Sequence, residues 1–188
     1  MGKGNTSEDR PAKQDYETPQ QLVDLFADML GVTFSVDLAG TYTNKKAPQV
    51  ISLDDDGFSS LEEPWEGWLT EFPGAGWLNP PYSNPECGRF VKKCCALPRH
   101  FDIVALVPAC ICTKWWLAAN VPAHASIYPL FPRIPFVGMD QGIDRDLVLL
   151  VFDGLTQGLK DPIYWFQQLK SRGGLTKEGK LPWLEKQN

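Results

Sequence analysis

The chain has 188 residues, of which 43% are hydrophobic, and a formal net charge of −5. The length fits one globular domain with a single core. No apolar stretch is as long as a transmembrane helix, and the N-terminus lacks the apolar segment of a secretory signal, so we expect a cytoplasmic protein. The acidic balance argues against a sequence-independent nucleic-acid binder, which usually carries a cationic excess.

The distribution of apolar residues divides the chain into three regions. Residues 1–14 are polar and are expected to form a disordered lead. Residues 15–172 contain every predicted helix and strand and are expected to form one domain. Residues 173–188 are expected to be a polar tail rich in Gly and Lys.

The first predicted helix begins near Pro19, which is well tolerated in a first turn, and Thr18 is its predicted N-cap. Apolar residues recur at helical spacing as far as Leu30, and Gly31 ends the segment. Strands and helices alternate after it, which predicts an α/β fold with a largely parallel sheet. The predicted strands are residues 33–38, 76–78, 101–107, 126–130 and 147–152, with a short apolar run at 50–53, and the later helices are residues 85–97, 113–120 and a segment around 165–169.

The chain has five cysteines, an odd number that favours reduced thiols where no signal peptide is present. They are Cys87, Cys94, Cys95, Cys110 and Cys112. The pairs Cys94-Cys95 and Cys110-x-Cys112 lie in apolar-rich stretches, which indicates buried thiols. Zinc coordination is the alternative, although the paired CxxC spacing of zinc knuckles is missing.

The run Asn79-Pro80-Pro81-Tyr82-Ser83 directly follows a predicted strand. Ligands of open α/β sheets bind outside the carboxyl ends of strands, so this position suits an active site. The Asn79 side-chain oxygen and the Pro80 carbonyl are two acceptors that a rigid Pro-Pro turn can aim at the two hydrogens of one amino group. Such a pair would free the lone pair of an exocyclic amine for attack. Tyr82 offers a ring face for a base swung out of a helix, and the structural alternative is a turn in which Tyr82 simply packs.

In the order and spacing of its short motifs, the chain resembles the phage-type DNA N6-adenine methyltransferases (Dam-like). The resemblance extends over residues 15–153 and implies a Rossmann-like methyltransferase domain with helices on both faces of the sheet. It also implies S-adenosylmethionine as cofactor and the host cytoplasm as location if a phage encodes the protein. The matching segments are residues 16–19, 34–39, 56–57, 79–83, 106–109, 133–136 and 147–152.

The resemblance assigns the cofactor to the Thr-Pro segment and to the loop after the first strand. Tyr16, Thr18 and Pro19 are its predicted contacts in the Thr-Pro segment. Asp37 is expected to meet the amino group of the cofactor's methionine part.

The small residues Ala39 and Gly40 are expected to let the backbone approach the cofactor. This loop departs from the Gly-rich FxGxG pattern of many methyltransferases. An acidic residue after the second strand is expected to bind the ribose hydroxyls or the adenine of the cofactor. Asp54, Asp55 and Asp56 are the candidates, and the Asp-Gly context favours Asp56.

On the substrate side, the expected partner is double-stranded DNA, with no metal required. Ser83, Arg133 and Phe136 are the predicted substrate contacts. Phe136 matches a position where related enzymes place a second aromatic ring against the flipped base, and core packing is the alternative. Arg133 is expected to meet phosphate or base, or else to be a surface arginine. Residues 57–76 and 120–146 are the predicted readers of the DNA sequence.

Two alternatives remain open from the residues alone. The same motif serves cytosine N4, RNA bases and glutamine side-chain amides, and the acidic charge gives a protein substrate some weight. A non-catalytic binding protein that kept the fold is the second alternative, and the intact motif argues against it. Carbon-5 cytosine methylation is disfavoured because it needs a cysteine nucleophile, usually in a Pro-Cys step, whereas the chain reads Pro108-Ala109-Cys110.

Overall fold

The computed structural model describes residues 16–52, 59–83, 85–139, 142–152 and 158–182, so the predicted N-terminal lead lies outside the described residues. The helices are α1 (Gln20–Leu30), α2 (Ser59–Glu62), α3 (Trp65–Glu71), α4 (Glu86–Ala96), α5 (Lys114–Ala118) and α6 (Trp165–Ser171), with a 3-10 turn at Val121–Ala123. The strands are β1 (Phe34–Asp37), β2 (Gln49–Val50), β3 (Ala75–Leu78), β4 (Ile103–Pro108), β5 (Ser126–Phe131), β6 (Leu147–Phe152), β7 (Gly158–Leu159) and β8 (Ile163–Tyr164). Every predicted helix and strand is present, whereas α2, α3, β7 and β8 were not predicted.

The strands form one sheet in the order β2-β1-β3-β4-β6-β5-β7, and β8 pairs with β5. The strands β2, β1, β3 and β4 run parallel to one another, whereas β6 is antiparallel to both β4 and β5. The prediction of a largely parallel sheet is therefore wrong, and the sheet is mixed. A fully apolar run such as residues 147–152 predicts a strand covered on both faces, but it does not fix the direction of that strand.

Side chains of the central strands alternate between two apolar layers. Trp77 and Leu106 pack with α1 and α6 on one face of the sheet. Leu78 and Val107 pack with α3, α4 and α5 on the other face. This alternation follows from the two-residue period of a strand, and it confirms helices on both faces. The first part of the predicted tail also packs on the domain, because Leu181 is buried in the α1 and α6 layer.

The beginning of α1 differs by one residue from its predicted position. Pro19 is the N-cap, and its carbonyl accepts hydrogen bonds from the backbone N–H groups of Leu22 and Val23 at 3.0 and 3.3 Å. The prediction of Thr18 as N-cap is wrong, because its hydroxyl has no hydrogen-bond partner among the described residues. The end of α1 is as predicted, since Gly31 takes the left-handed conformation with φ of 67°.

One edge of the sheet collects the carboxyl ends of β1, β3, β4 and β5, together with the amino end of β6; we call it the carboxyl edge. Asp37 at the end of β1 pairs in register with Trp77, and Asn79 lies two residues beyond Trp77. From the usual strand spacing and rise, Asp37 and Asn79 lie roughly 8 Å apart. The carboxyl edge therefore brings a predicted cofactor residue close to the predicted target-amine residue.

The connection before β3 is a packed crossover and not an open loop. Trp65 and Leu69 of α3 are buried against the sheet, and the segment then reaches β3 at the opposite edge. The turn after α3 thus lies away from the carboxyl edge, and DNA reading by residues 57–76 stays a prediction. The described residues 132–139 and 142–146 lie at the carboxyl edge, because they join the end of β5 to the beginning of β6, whereas residues 120–125 precede β5 at the opposite edge. Within the described ranges, no helix is long and apolar enough to cross a membrane.

Candidate active site

Asn79 follows the fully buried strand β3 and is held by a single backbone contact. Its Nδ2 donates a hydrogen bond of 2.7 Å to the Tyr16 carbonyl. Only the amide nitrogen can donate, so this bond fixes the orientation of the amide and turns Oδ1 away from Tyr16. Asn79 Oδ1 is buried and has no hydrogen-bond partner in the described part of the chain. An unsatisfied buried acceptor costs about 1–3 kcal/mol, which an amino group of a substrate would recover.

The turn after Asn79 is anchored to the neighbouring strand. Pro80 and Pro81 are buried, and Tyr82 is only 5% exposed. The Tyr82 hydroxyl donates a hydrogen bond of 3.2 Å to the Leu106 carbonyl of β4. Burial raises the pKa of this hydroxyl, so Tyr82 stays a neutral donor. The motif is therefore a rigid turn in which ring and backbone are both fixed.

Three aromatic rings meet beside this turn, and we call Tyr16, Tyr82 and Phe136 the aromatic triad. Their centroids lie 5.7 Å apart for Tyr16 and Tyr82, 5.4 Å for Tyr16 and Phe136, and 6.3 Å for Tyr82 and Phe136. A backbone hydrogen bond of 2.9 Å from Val137 to the Glu17 carbonyl joins the two outer segments. Phe136 is fully buried, so it packs in the core and also contacts Tyr82. Tyr82 thus contacts both of the other rings of the aromatic triad.

Asp37 is buried at the end of β1, with 3% of its surface exposed. Its two carboxylate oxygens accept backbone hydrogen bonds from Ala39 at 3.2 Å and Lys46 at 2.9 Å. Burial raises the pKa of Asp37 to about 6, although both hydrogen bonds lower it. A Cβ at Gly40 would lie 2.6 Å from Asp37 Oδ2, so only glycine fits beside the carboxylate. The loop therefore holds a carboxyl group that titrates near pH 6 beside the backbone of a glycine.

The Thr-Pro segment contacts both sides of the candidate site. Tyr16 binds Asn79 through its carbonyl, and Glu17 forms a 2.7 Å ion pair with Lys46, whose backbone N–H binds Asp37. Three buried polar side-chain atoms of the described residues lack a partner; they are Thr18 Oγ1, Asn79 Oδ1 and Trp77 Nε1. Two of the three belong to predicted site residues. The acidic turn at residues 54–56, with the predicted cofactor residue Asp56, lies outside the described residues.

The remaining predicted substrate residues have contacts of their own. Ser83 Oγ donates to Glu86 Oε2 at 3.0 Å, which fixes the beginning of α4. Arg133 is exposed and pairs with Asp144 at 3.1 Å and more loosely with Asp146 at 3.9 Å. Arg133 thus lies at the carboxyl edge, but two carboxylates already compensate its charge.

The comparison with protein families decides the assignment. The model of the DNA N-6-adenine-methyltransferase (Dam) family matches residues 5–179. The chain belongs to this family. It is 25% identical over 184 residues to the DNA N-6-adenine-methyltransferase of Haemophilus phage HP1 (strain HP1c1), an alignment that covers 93% of this chain and 99% of the relative. No solved structure matches the chain.

Membership in the Dam family confirms the resemblance inferred from the short motifs. It also confirms the prediction of a DNA adenine-N6 methyltransferase over the alternatives of another amine substrate or a non-catalytic binding protein. The roles of individual residues stay predictions that rest on the geometry described above.

The cysteines of this Dam family member are free thiols. Cys87 and Cys94 are buried, and burial raises the pKa of both, that of Cys87 to about 12. Such thiols are poor nucleophiles and poor metal ligands at neutral pH. No group of three or more His, Cys, Asp or Glu side chains that could hold a metal occurs within the described ranges.

One residue at this Dam site was missed from the sequence. Arg145 Nη1 donates a hydrogen bond of 3.3 Å to the Tyr82 carbonyl, inside the motif. In the sequence, Arg145 stands two residues before a predicted strand, which gives no functional signal while the direction of that strand is unknown. Because β6 is antiparallel to β4, its amino end lies at the carboxyl edge, and Arg145, just before this strand, lies beside the motif.

Proposed function

We propose that the chain transfers a methyl group from S-adenosylmethionine directly to N6 of an adenine extruded from double-stranded DNA. The family assignment supports adenine in DNA as the substrate. The observation that carries the proposed mechanism is the buried Oδ1 of Asn79, directly after β3, which has no hydrogen-bond partner among the described residues. A scaffold without catalytic function gains nothing from such an atom, because it costs stability.

The target amine is the proposed donor to Asn79 Oδ1. The N6 lone pair of adenine is delocalised into the ring, so the free amine is a weak nucleophile. Asn79 Oδ1 and the Pro80 carbonyl would accept its two hydrogens and draw the nitrogen toward tetrahedral geometry. The bond from Asn79 Nδ2 to Tyr16 and the two prolines align these acceptors in advance, so little entropy is lost on binding.

The extruded base is proposed to replace one ring contact of the aromatic triad. Separating two protein rings costs about 0.5–1.5 kcal/mol beyond their buried area. Stacking a base on an aromatic side chain contributes about 1–3 kcal/mol. The exchange is therefore neutral to favourable. Tyr16 is the ring we expect to move, because it is partly exposed, whereas Phe136 is fully buried.

The residues at the end of β1 fit S-adenosylmethionine. Its sulfonium supplies an electrophilic methyl group. Asp37 would bind the amino group of its methionine part, and a cation there would hold the carboxylate ionised despite its burial. Gly40 leaves room that a Cβ would fill, and the Thr18 hydroxyl, which has no partner in the described part of the chain, would bind a polar atom of the cofactor. Tyr16, Pro19 and Ala39 would complete the wall of this pocket.

The reaction as proposed needs no covalent enzyme intermediate. The N6–C bond forms as the C–S bond breaks, and one N6 proton is then lost to solvent. Arg133 and residues 142–146 are the proposed DNA contacts, and Ser83 is proposed to hold the motif against α4. We also propose a Rossmann-like classification, because a sheet with helices on both faces carries the candidate site at its carboxyl edge.

A labelled methyl group from S-adenosylmethionine tests the function. Purified protein is incubated with adenine-containing duplex DNA, with RNA and with a glutamine-containing peptide, and N6-methyladenine is then measured by mass spectrometry. We expect label in duplex DNA adenine, and labelling that is about 100- to 1000-fold slower with Asn79→Ala. Label only in RNA, peptide or cytosine would overturn the assignment of the substrate. No heat on titration of folded protein with S-adenosylmethionine would overturn the assignment of the cofactor.

A further inference from the structure

We propose that Arg145 binds a backbone phosphate of the DNA beside the extruded adenine while it holds the Tyr82 carbonyl. This inference rests on the proposed function and assigns a phosphate subsite to the same edge. Arg145 is thus proposed as a substrate-binding residue that also positions the Asn79 to Tyr82 turn.

The position of Arg145 is set by three neighbouring segments. Its Nη1 donates to the Tyr82 carbonyl at 3.3 Å. Its positive charge counteracts the rise in pKa of Cys87, in the first turn of α4, and of Cys110, in the loop after β4. A backbone hydrogen bond of 2.9 Å from Ala109 to the Asp146 carbonyl ties this loop to the segment that carries Arg145. The guanidinium therefore lies between the motif, the beginning of α4 and the end of β4.

The charge of Arg145 is available to a ligand. Lys46 pairs with Glu17, and Arg133 pairs with Asp144 and more loosely with Asp146. Among the residues that the structure describes, no carboxylate lies within ion-pair distance of Arg145, which is exposed. In a chain with a net charge of −5, an uncompensated cation beside the motif is the feature that would attract phosphate.

The chemistry of the guanidinium suits this double role. Arginine has five N–H donors in a rigid plane, and one contact to the Tyr82 carbonyl leaves donors for a phosphate oxygen. Anchoring one arm lowers the entropy lost when the other arm binds phosphate. The base is proposed to stack on the ring of Tyr82, and Arg145 holds the carbonyl of that same residue. A phosphate covalently joined to that nucleotide would then be within reach of the guanidinium.

Two variants separate the charge from the tether. Arg145→Gln removes the charge but keeps an N–H donor for the Tyr82 carbonyl, whereas Arg145→Lys keeps the charge but loses the planar fork. Sequencing of modified DNA first identifies the site that the unchanged protein methylates. Fluorescence anisotropy then measures the affinity of each variant for a labelled duplex with this site, at a series of salt concentrations. Each phosphate contact contributes about 0.9 to the slope of log affinity against log salt. We expect the slope of Arg145→Gln to be smaller in magnitude by about 0.9, the contribution of one phosphate contact. We expect Arg145→Lys to keep the slope of the unchanged protein, and to have a lower kcat for duplex methylation because the planar fork no longer holds the Tyr82 carbonyl.

Arg172→Ala is the matched control. Arg172 pairs with Asp28 in the last turn of α1, which leads to the opposite edge of the sheet, so the control removes the same charge away from the site. We expect its salt slope to equal that of the unchanged protein, and thermal unfolding verifies that each variant is folded. Equal slopes for Arg145→Gln and Arg172→Ala would overturn the inference while methylation by the unchanged protein still stands. Absence of adenine methylation by the unchanged protein would instead overturn the proposed function.

Discussion

Asn79→Ala is predicted to remove activity while leaving stability nearly unchanged. The substitution breaks the 2.7 Å hydrogen bond to the Tyr16 carbonyl, and leaving that carbonyl unsatisfied costs about 1–3 kcal/mol. It also removes the buried Oδ1 that has no partner among the described residues, which returns about 1–3 kcal/mol. The two effects oppose each other, so we expect the free energy of unfolding to change by about 1 kcal/mol or less.

Activity has no such compensation. Loss of one prearranged polar contact that acts in the transition state typically lowers kcat by about 100- to 1000-fold. We expect a loss of this size in methyl transfer to duplex DNA, and an S-adenosylmethionine affinity within about threefold of the unchanged protein, because the Asn79 side chain binds the Tyr16 carbonyl and, among the described residues, makes no hydrogen bond to the Asp37 loop. Single-turnover methylation, calorimetry with the cofactor and urea unfolding measure the three quantities.

Asn120→Ala provides the contrasting control. Asn120 has a positive φ of 49° and lies before β5, at the edge of the sheet opposite to the site. Alanine is strained in this conformation, so we expect a loss of about 1–2 kcal/mol of stability with kcat unchanged. The reasoning about Asn79 fails if its alanine variant keeps more than a tenth of kcat, or if it loses more stability than the Asn120 variant and loses activity only in proportion.

Three further predictions concern the rings and the cofactor loop. Tyr82→Phe keeps the ring and loses the hydrogen bond to the Leu106 carbonyl, so the free energy of unfolding should fall by about 1 kcal/mol while kcat changes less than fivefold. Tyr82→Ala removes the ring and should lower the rate of duplex methylation at least tenfold. Gly40→Ala should weaken S-adenosylmethionine binding at least tenfold in calorimetry, because its Cβ would meet Asp37 Oδ2 at 2.6 Å, and unchanged affinity would contradict this. The Asp37 pKa of about 6 lies above its ordinary 3.8, so ionisation of Asp37 costs stability: stability should fall by roughly 3 kcal/mol as pH rises from about 4 to above 6, and Asp37→Asn should remove this change. Cofactor affinity should show the opposite trend, falling as pH drops through 6, and a pH-independent affinity would contradict the role of the carboxylate.

Local signals explain which parts of the fold were predictable. Gly31 ends α1 because only a left-handed residue can close that turn, and the sequence shows both the glycine and the helical spacing before it. The Asn79 to Tyr82 run carries its own rigidity in two prolines and follows a buried strand. Such features depend on neighbours in the chain and therefore appear in the sequence.

Features that depend on distant segments were not predictable. The direction of β6 follows from its pairing with β4 and β5, and nothing within residues 147–152 encodes it. A parallel β6 would have placed Arg145 at the opposite edge of the sheet, so its contact with Tyr82 depends on this one topological fact. The Thr18 prediction failed for a related reason, because the Pro19 carbonyl takes over the first contacts of the helix.

The segment from Tyr16 to Thr18 connects the two halves of the candidate site. Its Tyr16 carbonyl orients Asn79, and its Glu17 side chain binds Lys46, whose backbone holds Asp37. On the proposed roles, a cofactor that binds this segment would also fix the acceptor on the target side, because one short stretch of backbone carries both contacts. Thermodynamic linkage requires the effect to be reciprocal, so an extruded adenine would strengthen cofactor binding by the factor with which the cofactor strengthens binding of DNA. The ring of Tyr16 would give this coupling a physical route, since it belongs to the same segment, contacts Tyr82 and is the ring proposed to move when a base stacks there.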